Sequence, residues 1–254
     1  MKILLTNDDG IYAEGLLALY DRFMGKNSVT VVAPDRERSA AGHGITLHTP
    51  LCATPVAIRG RHMGHAVNGT PVDCVNLAMA EILDGKPDVV ISGINSGPNV
   101  GNNINYSGTV SAAKEAALHG IPAIAASIQM GPQTDYRAAA GFLEKLAQKV
   151  VENGLPLGTL LNVNLPNMSL KSATAVRISR QGIALLPEYY EKRPDPRNRI
   201  YCGLGGEYPG PEGNPEVDEV VLCQNFISIT PLQCDMTDYR FMGALKGWNL
   251  NAGG

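Results

Sequence analysis

The sequence contains no apolar run approaching the roughly 20 residues that cross a bilayer, so no membrane-spanning helix is expected. Its opening, MKILLTNDDG, has one Lys and a short apolar stretch that gives way at once to acid. With no small-residue cleavage pattern behind it, this is not expected to be a secretory signal peptide. An excess of base is also missing: Lys plus Arg is 21 against 24 for Asp plus Glu, a formal net charge of -3. That balance argues against a nucleic-acid polymer as partner, yet leaves room for one small anion in a local site. Cysteine is sparse and scattered, at 52, 74, 202, 223 and 234, with no C-x-x-C. Neither a zinc ribbon nor a thioredoxin-type centre is indicated, and free thiols in the cytoplasm are expected. There is no G-x-x-x-x-G-K-[ST], no G-x-G-x-x-G after the first strand and no G-x-S-x-G. A P-loop NTPase, a dinucleotide-binding protein and an α/β-hydrolase are thereby disfavoured.

What is present is ample material for a core. The chain has 254 residues, 44% of them hydrophobic and 18% charged, which predicts one large domain or one domain with an appendage. The first half alternates short apolar runs with helical patterns. Strands are predicted at 2–6, 28–34, 88–92, 123–127 and 159–166. Helices are predicted at 14–24, 71–83, 109–119 and 137–153, with Thr70-Pro71 as the N-cap and first position of the second. Strands that are apolar on both faces and separated by helices make a mostly parallel sheet covered on both sides. The expected fold is therefore α/β, a three-layer Rossmann-like sandwich. Short strands at 45–48, 55–58 and 65–67 interrupt the rhythm. Beyond about residue 170 the character changes: 187–219 holds 6 Pro, 5 Gly and Tyr189, Tyr190, Tyr201 and Tyr208. This reads as an irregular arm or hairpin with an aromatic surface, suited to a subunit interface. Residues 219–224 and 225–230 read as strands and 236–248 as a closing helix. The division expected is a core over 1–180 and a C-terminal hairpin arm with its closing helix over 181–254.

The chemistry gathers at strand ends. Asp8-Asp9 follow the first strand directly, and in an open α/β sheet the ligand crevice lies outside the carboxyl ends of the strands. Two adjacent carboxylates repel, and a cation would keep both ionised, although Asp-Asp-Gly is also a common turn. Ser39 follows the second strand, and Asn95 and Asn99 follow the third. Oxygen donors of this kind suit Mg²⁺, Mn²⁺ or Ca²⁺ better than zinc. Ser107, Gly108 and Thr109 open a helix, where free N–H groups and hydroxyls cradle a phosphate; Ser and Thr are equally ordinary N-caps. A cation beside phosphate donors is the usual arrangement for phosphoryl transfer to water. His43 and His48 are either acids for that chemistry or polar loop residues.

Taken in order, LLTNDDGIYAEGLLAL, VVAPDRERSAAGHGITLH, VNGTPVDCVNLA and ISGINSGPNVGNNINYSGTVSAAKEA resemble the SurE (survival protein E) family, and LLNVNLP and ITPLQCDMTDY fit its later blocks. The resemblance runs from Met1 to about Tyr239 and is weakest over 129–158 and 187–220. It implies a 5′-nucleotidase or acid-phosphatase type hydrolase. Such an enzyme removes phosphate from nucleoside 5′-monophosphates and, in some members, from 3′-monophosphates and short polyphosphate. It implies one divalent cation per subunit, with Asp8, Asp9, Ser39 and Asn95 as ligands and Ser107, Gly108 and Thr109 around the phosphate. It implies a C-terminal hairpin exchanged between subunits of a homodimer or homotetramer. The attacking group is left open between a water and Asp8, the latter giving an acyl-phosphate. The alternative is a nucleotide-sensing module without turnover. A sugar deacetylase on the same fold would want His ligands near the Asp pair, and none lies within 30 residues of it.

Overall fold

The computed structural model describes residues 1–58, 61–168, 175–183, 189–205, 213–248 and 250. The first half runs β1 (Lys2–Thr6), α1 (Glu14–Phe23), β2 (Ser28–Pro34), β3 (Ala53–Ile58), β4 (Arg61–Val67) and α2 (Pro71–Leu77), which continues into a π turn over Ala78–Ile82. Next come β5 (Val89–Ser96), a 3-10 turn (Gly101–Asn105), α3 (Gly108–Leu118), β6 (Ala123–Ile128), α4 (Tyr136–Asn153) and β7 (Thr159–Leu165). The remainder is β8 (Val176–Ile178), β9 (Tyr189–Pro194), β10 (Ile200–Gly205), α5 (Asp218–Cys223), β11 (Ile227–Gln233) and α6 (Tyr239–Lys246).

Nine strands form one sheet in the order β3-β4-β2-β1-β5-β6-β7-β11-β8. Neighbours from β4 through β7 are all parallel, while β3 and β11 run antiparallel to β4 and β7. The chain first builds outward from β1 through β2 to β4, then returns and builds the other way from β5. The direction of winding therefore reverses between β1 and β5, where the loops leaving two neighbouring strands part and open a crevice.

Alternation along each strand feeds two cores. Ile3 and Leu5 of β1 pack with Leu16, Leu19 and Phe23 of α1 and Leu143 of α4. Leu4, between them, faces Val75 of α2 and Val110, Ala113 and Ala116 of α3. Each side chain of this kind contributes about 1.5–3 kcal/mol when fully buried. The alanines let α3 lie close to β5 and β6, which brings its N-terminus up to the crevice.

The expected mostly parallel sandwich is present, as is the C-terminal hairpin: β9 and β10 pair antiparallel in a two-stranded sheet of their own. Asp195 shapes its turn by accepting the N–H groups of Arg197 and Arg199 at 2.8 and 2.9 Å, and these bonds hold its carboxyl below the usual range. Tyr190 and Tyr201 are exposed on the hairpin, and Tyr208 lies outside the described residues. Two expectations fail. Residues 45–48 form no strand; Ile45 and Leu47 stand exposed, and the loop is held instead by Thr46, whose N–H and hydroxyl donate to Asp73 at 3.0 and 2.5 Å. Residues 219–224 belong mostly to a helix, α5, not a strand. A short apolar run does not distinguish the two by period, and the acids Asp218 and Glu219 in its first turn favour the helix.

Candidate active site

The turn after β1 is built by its own side chains: Asn7 Nδ2 donates to the Gly10 carbonyl at 2.9 Å, which turns Asp8 and Asp9 toward the crevice. The loop after β2 closes against it, with the Arg38 N–H donating to the Asp8 carbonyl at 2.8 Å. This places Glu37 and Ser39 opposite the aspartates, and the Ser39 hydroxyl donates to Glu37 Oε1 at 2.6 Å. Asn95 sits in the last turn of β5 pairing, beside Ser127 of β6, and its Nδ2 donates to the Gly97 carbonyl at 2.7 Å. That bond leaves the amide oxygen as the atom Asn95 offers to a ligand. Asp8, Asp9, Glu37, Ser39, Asn95, Ser96, Asn99, Asn103, Tyr106 and Ser107 share one open cleft of about 450 Å³. Small-molecule sites span about 300–1,000 Å³.

Asp8 is the buried member of the pair, with 4% of its surface exposed. The Thr109 hydroxyl donates to its Oδ1, and the backbone N–H groups of Thr109 and Gly108 add to that support. Gly108 is demanded by this closeness: a Cβ there would stand 2.8 Å from Asp8 Cβ and 2.9 Å from Asp8 Oδ2. Burial pushes the Asp8 carboxyl up, and the hydrogen bonds from Thr109 and Gly108 oppose it. Asp9 is pushed up to about 6, first by burial and then by the Asp8 charge, against the N–H of Ser96 at 3.3 Å, with Glu37 adding to the rise. Two neighbouring carboxylates, both held reluctant to ionise, are what a cation would relieve.

Of the residues singled out from the sequence, Asp8, Asp9, Ser39, Asn95, Asn99 and Ser107 line the cleft. Gly108 and Thr109 lie one layer behind, engaged with Asp8. Ser107 is the N-cap of α3, its Oγ accepting from the Val110 N–H at 3.1 Å. His43 turns away to Glu115 of α3, with its Nε2 2.8 Å from Oε2, and so ties the Ser39 loop to that helix. His48 is exposed. Among the described residues no three His, Cys, Asp or Glu side chains gather as a metal-ligand cluster.

A family model described as "Survival protein SurE" matches residues 3–187. The chain belongs to the SurE family. A protein of Desulfatibacillum aliphaticivorans named 5′-nucleotidase SurE is 53% identical over 250 residues, 98% of this chain and 99% of its own. One of the same name from Syntrophobacter fumaroxidans is 46% identical over 250 residues, 98% and 100% of the two chains. The crystal structure of the SurE protein from Aquifex aeolicus superposes with a TM-score of 0.84 at 36% identity, covering 98% of this chain and 99% of that one. Three of the SurE blocks quoted above contain the loops that leave β1, β2 and β5 and line the cleft, while the others fall on α2, β7 and β11.

Reading the sequence alone passed over Glu37, Ser96 and Asn103, and also the support beneath them. Asn99 is buried, its N–H on Asn164 Oδ1 at 2.8 Å and its Nδ2 on Ser127 Oγ at 2.8 Å. Its carbonyl accepts from Asn162 and Asn164 at 2.8 and 3.1 Å. The signal was present in LLNVNLP: two asparagines two apart on an otherwise apolar strand share one face, and a buried amide pair needs partners there.

Proposed function

We propose that this protein is a 5′-nucleotidase, a divalent-cation-dependent phosphomonoester hydrolase acting on nucleoside 5′-monophosphates. The observation that carries the reading is the buried Asp8 carboxylate, set beside Asp9 and against the N-terminus of α3 in an open polar cleft. The donor set fits a hard cation, with Asp8, Asp9, Ser39 Oγ and the Asn95 amide oxygen as ligands and water completing the shell. Mg²⁺ or Mn²⁺ is the best match and Ca²⁺ the next. When bound, one such ion per subunit would neutralise charge on phosphoryl oxygens. Ser107, at the N-terminus of α3, would hold the same phosphate, with Gly108 and Thr109 behind it fixing Asp8.

The Asp8 carboxylate is already engaged, its Oδ1 by the Thr109 hydroxyl with the N–H groups of Thr109 and Gly108 adding to it, which pins it at the back of the cleft and away from an in-line approach to phosphorus. Attack by water is therefore preferred to an acyl-phosphate on Asp8. The test is phosphate release from nucleoside 5′- and 3′-monophosphates and short polyphosphate, with Mg²⁺ or Mn²⁺ and again with EDTA. Release that needs the metal and ranks 5′-monophosphates first is expected. Nucleotide-dependent stabilisation with no release under any condition would replace this reading by a nucleotide sensor.

The C-terminal segment supports self-association. No residue of α6 is buried, and Tyr239, Phe241, Met242, Leu245 and the following Trp248 are all exposed. Exposed apolar side chains of this kind, with Tyr190 and Tyr201 on the β9–β10 hairpin, mark interaction surfaces. The reading is a homodimer or homotetramer with the hairpin exchanged. Light scattering should give two or four chains; a mass of 27.0 kDa, one chain, would overturn it. The five cysteines are free thiols, which suits the cytoplasm. Among the described residues no helix is long and apolar enough to cross a membrane.

A further inference from the structure

We propose that Asp218 is a positioning residue that joins the root of the C-terminal arm to the loop walling the cleft, so that turnover depends on how that root is seated. The inference rests on the hydrolase reading for its kinetic test only.

Asp218 is fully buried and takes no part in the cleft. Its Oδ2 accepts the N–H of Gly101 at 3.0 Å. Its Oδ1 accepts the N–H of Gly182 and of Glu219, each at 3.0 Å. Residue 182 lies seven positions before β9 in sequence, and residue 218 lies thirteen positions after β10. Their backbones are also tied directly, Arg180 N–H to the Glu216 carbonyl at 2.9 Å and Asp218 N–H to the Arg180 carbonyl at 3.0 Å. One carboxylate thus holds both feet of the arm and the cleft loop together.

The Gly101 peptide is gripped from the other side as well, because Gln181 Nε2 donates to its carbonyl at 2.9 Å. Gly101 has a φ of +56°, which favours glycine, and a Cβ there would stand 2.3 Å from Glu219 Oε1, so the loop lies directly under the Glu219 side chain of α5. Gly101 starts the 3-10 turn that carries Asn103 and leads to Tyr106 and Ser107, three residues of the cleft wall. Two residues earlier, Asn99 anchors the same loop to β6 and β7. The loop therefore has two anchors. One belongs to the sheet, and the other belongs to the arm root.

A mere cap for α5 would not need this residue. The cap position is Val217, and only one of the three bonds to Asp218 lies within the helix. Burial raises the carboxyl while the N–H groups of Gly101, Gly182 and Glu219 oppose that rise, so the site tolerates a costly anion to keep those bonds. All three partners are donors. An amide in its place would turn an NH2 toward an N–H, which makes Asp218→Asn a sharp probe despite its matched shape.

The full-length chain is assayed with a nucleoside 5′-monophosphate and Mg²⁺ or Mn²⁺, well below the unfolding temperature of each variant. Asp218→Asn should lower kcat about tenfold or more, since small displacements of positioning groups cost rate. Gln181→Ala, an uncharged change, should lower it less. The double variant should lose less than the product of the two, because both act on one peptide. Hydrogen exchange over residues 99–107 should quicken in both variants, and this readout stands even if wild type releases no phosphate. Wild-type kcat in a folded Asp218→Asn would overturn the proposal. Should that variant fail to fold, Gln181→Ala decides alone: unchanged kcat with unchanged exchange at 99–107 overturns it. A wild type without activity would sink the hydrolase reading and leave exchange to decide the coupling.

Discussion

Asp8→Asn should lower phosphate release by at least about a hundredfold in kcat, the scale of losing one preorganised electrostatic group. The shape of the side chain is kept, and Thr109 can still donate to the amide oxygen, so the fold should survive. What is lost is the charge that faces the substrate end of α3 and pairs with Asp9. Stability should hold or rise at neutral pH. A carboxyl whose folded pKa exceeds its unfolded value binds its proton more tightly in the folded state, so stability falls as pH rises. For Asp9 that fall runs from near 3.8 to about 6 and is complete above it, and Asp8 adds its own in the same direction. Removing Asp8 charge removes one cause of the Asp9 rise, so the variant's advantage should be present at pH 7 and vanish below pH 4. Kinetics and metal-free urea unfolding at the two pH values check both halves. Near-wild-type turnover would refute the site, and a destabilised variant at pH 7 would refute the electrostatic account.

Gly15→Ala should be the most damaging small change away from the cleft. Helix α1 crosses β5 at this residue, and an added Cβ would stand 2.0 Å from the Ile94 carbonyl oxygen. No side chain can swing aside, because the obstacle is backbone. Either α1 lifts from a core containing Leu16, Leu19 and Phe23, or β5 shifts beside Asn95. A cost of about 3 kcal/mol is expected, at the upper end for overpacking. Gly243→Ala in α6 is the matched contrast. Its Cβ would meet nothing within 4 Å, so the better helix propensity of alanine should stabilise by up to about 1 kcal/mol. Thermal unfolding of the two variants reads both signs, and a harmless Gly15→Ala would mean that α1 does not pack where it is placed.

The elements legible in the sequence are those whose cause is local. KILLT, SVTVVAP and AIAAS are apolar on both faces because helices cover both, and each forms a strand of the parallel sheet. Thr70 caps α2 as its position before Pro71 predicts, and Asp73 completes the box by accepting the Thr70 N–H at 2.8 Å. The strand-end loops carried Asp8, Asp9, Ser39, Asn95 and Ser107, but spacing left Ser39 and Asn95 among several oxygen donors. What stayed illegible is long-range. Asp218 meets Gly101 across 117 residues, and Asn99 meets Asn164 across 65, so no window of sequence shows either pair. The strand reading of 219–224 failed for a related reason: its apolar residues face a core assembled from elsewhere, and six residues carry too little period to tell which way.

The rims of the nine-stranded sheet bear on how copies of this chain can meet. At one rim, β3 carries Pro55, which has no N–H to give, and the register slips between Val56 and Ala57. At the other, β8 spans three residues and covers only Ile227–Ile229 of β11, whose next exposed position is Pro231. Among the described residues, neither border offers the long, even row of donors and acceptors on which a further strand could be templated. The main sheet is closed to growth in its own plane. Contacts between copies are left to the separate hairpin and to side chains on the outer layers, and the runaway edge-to-edge stacking that threatens large sheets is given no starting point along these borders.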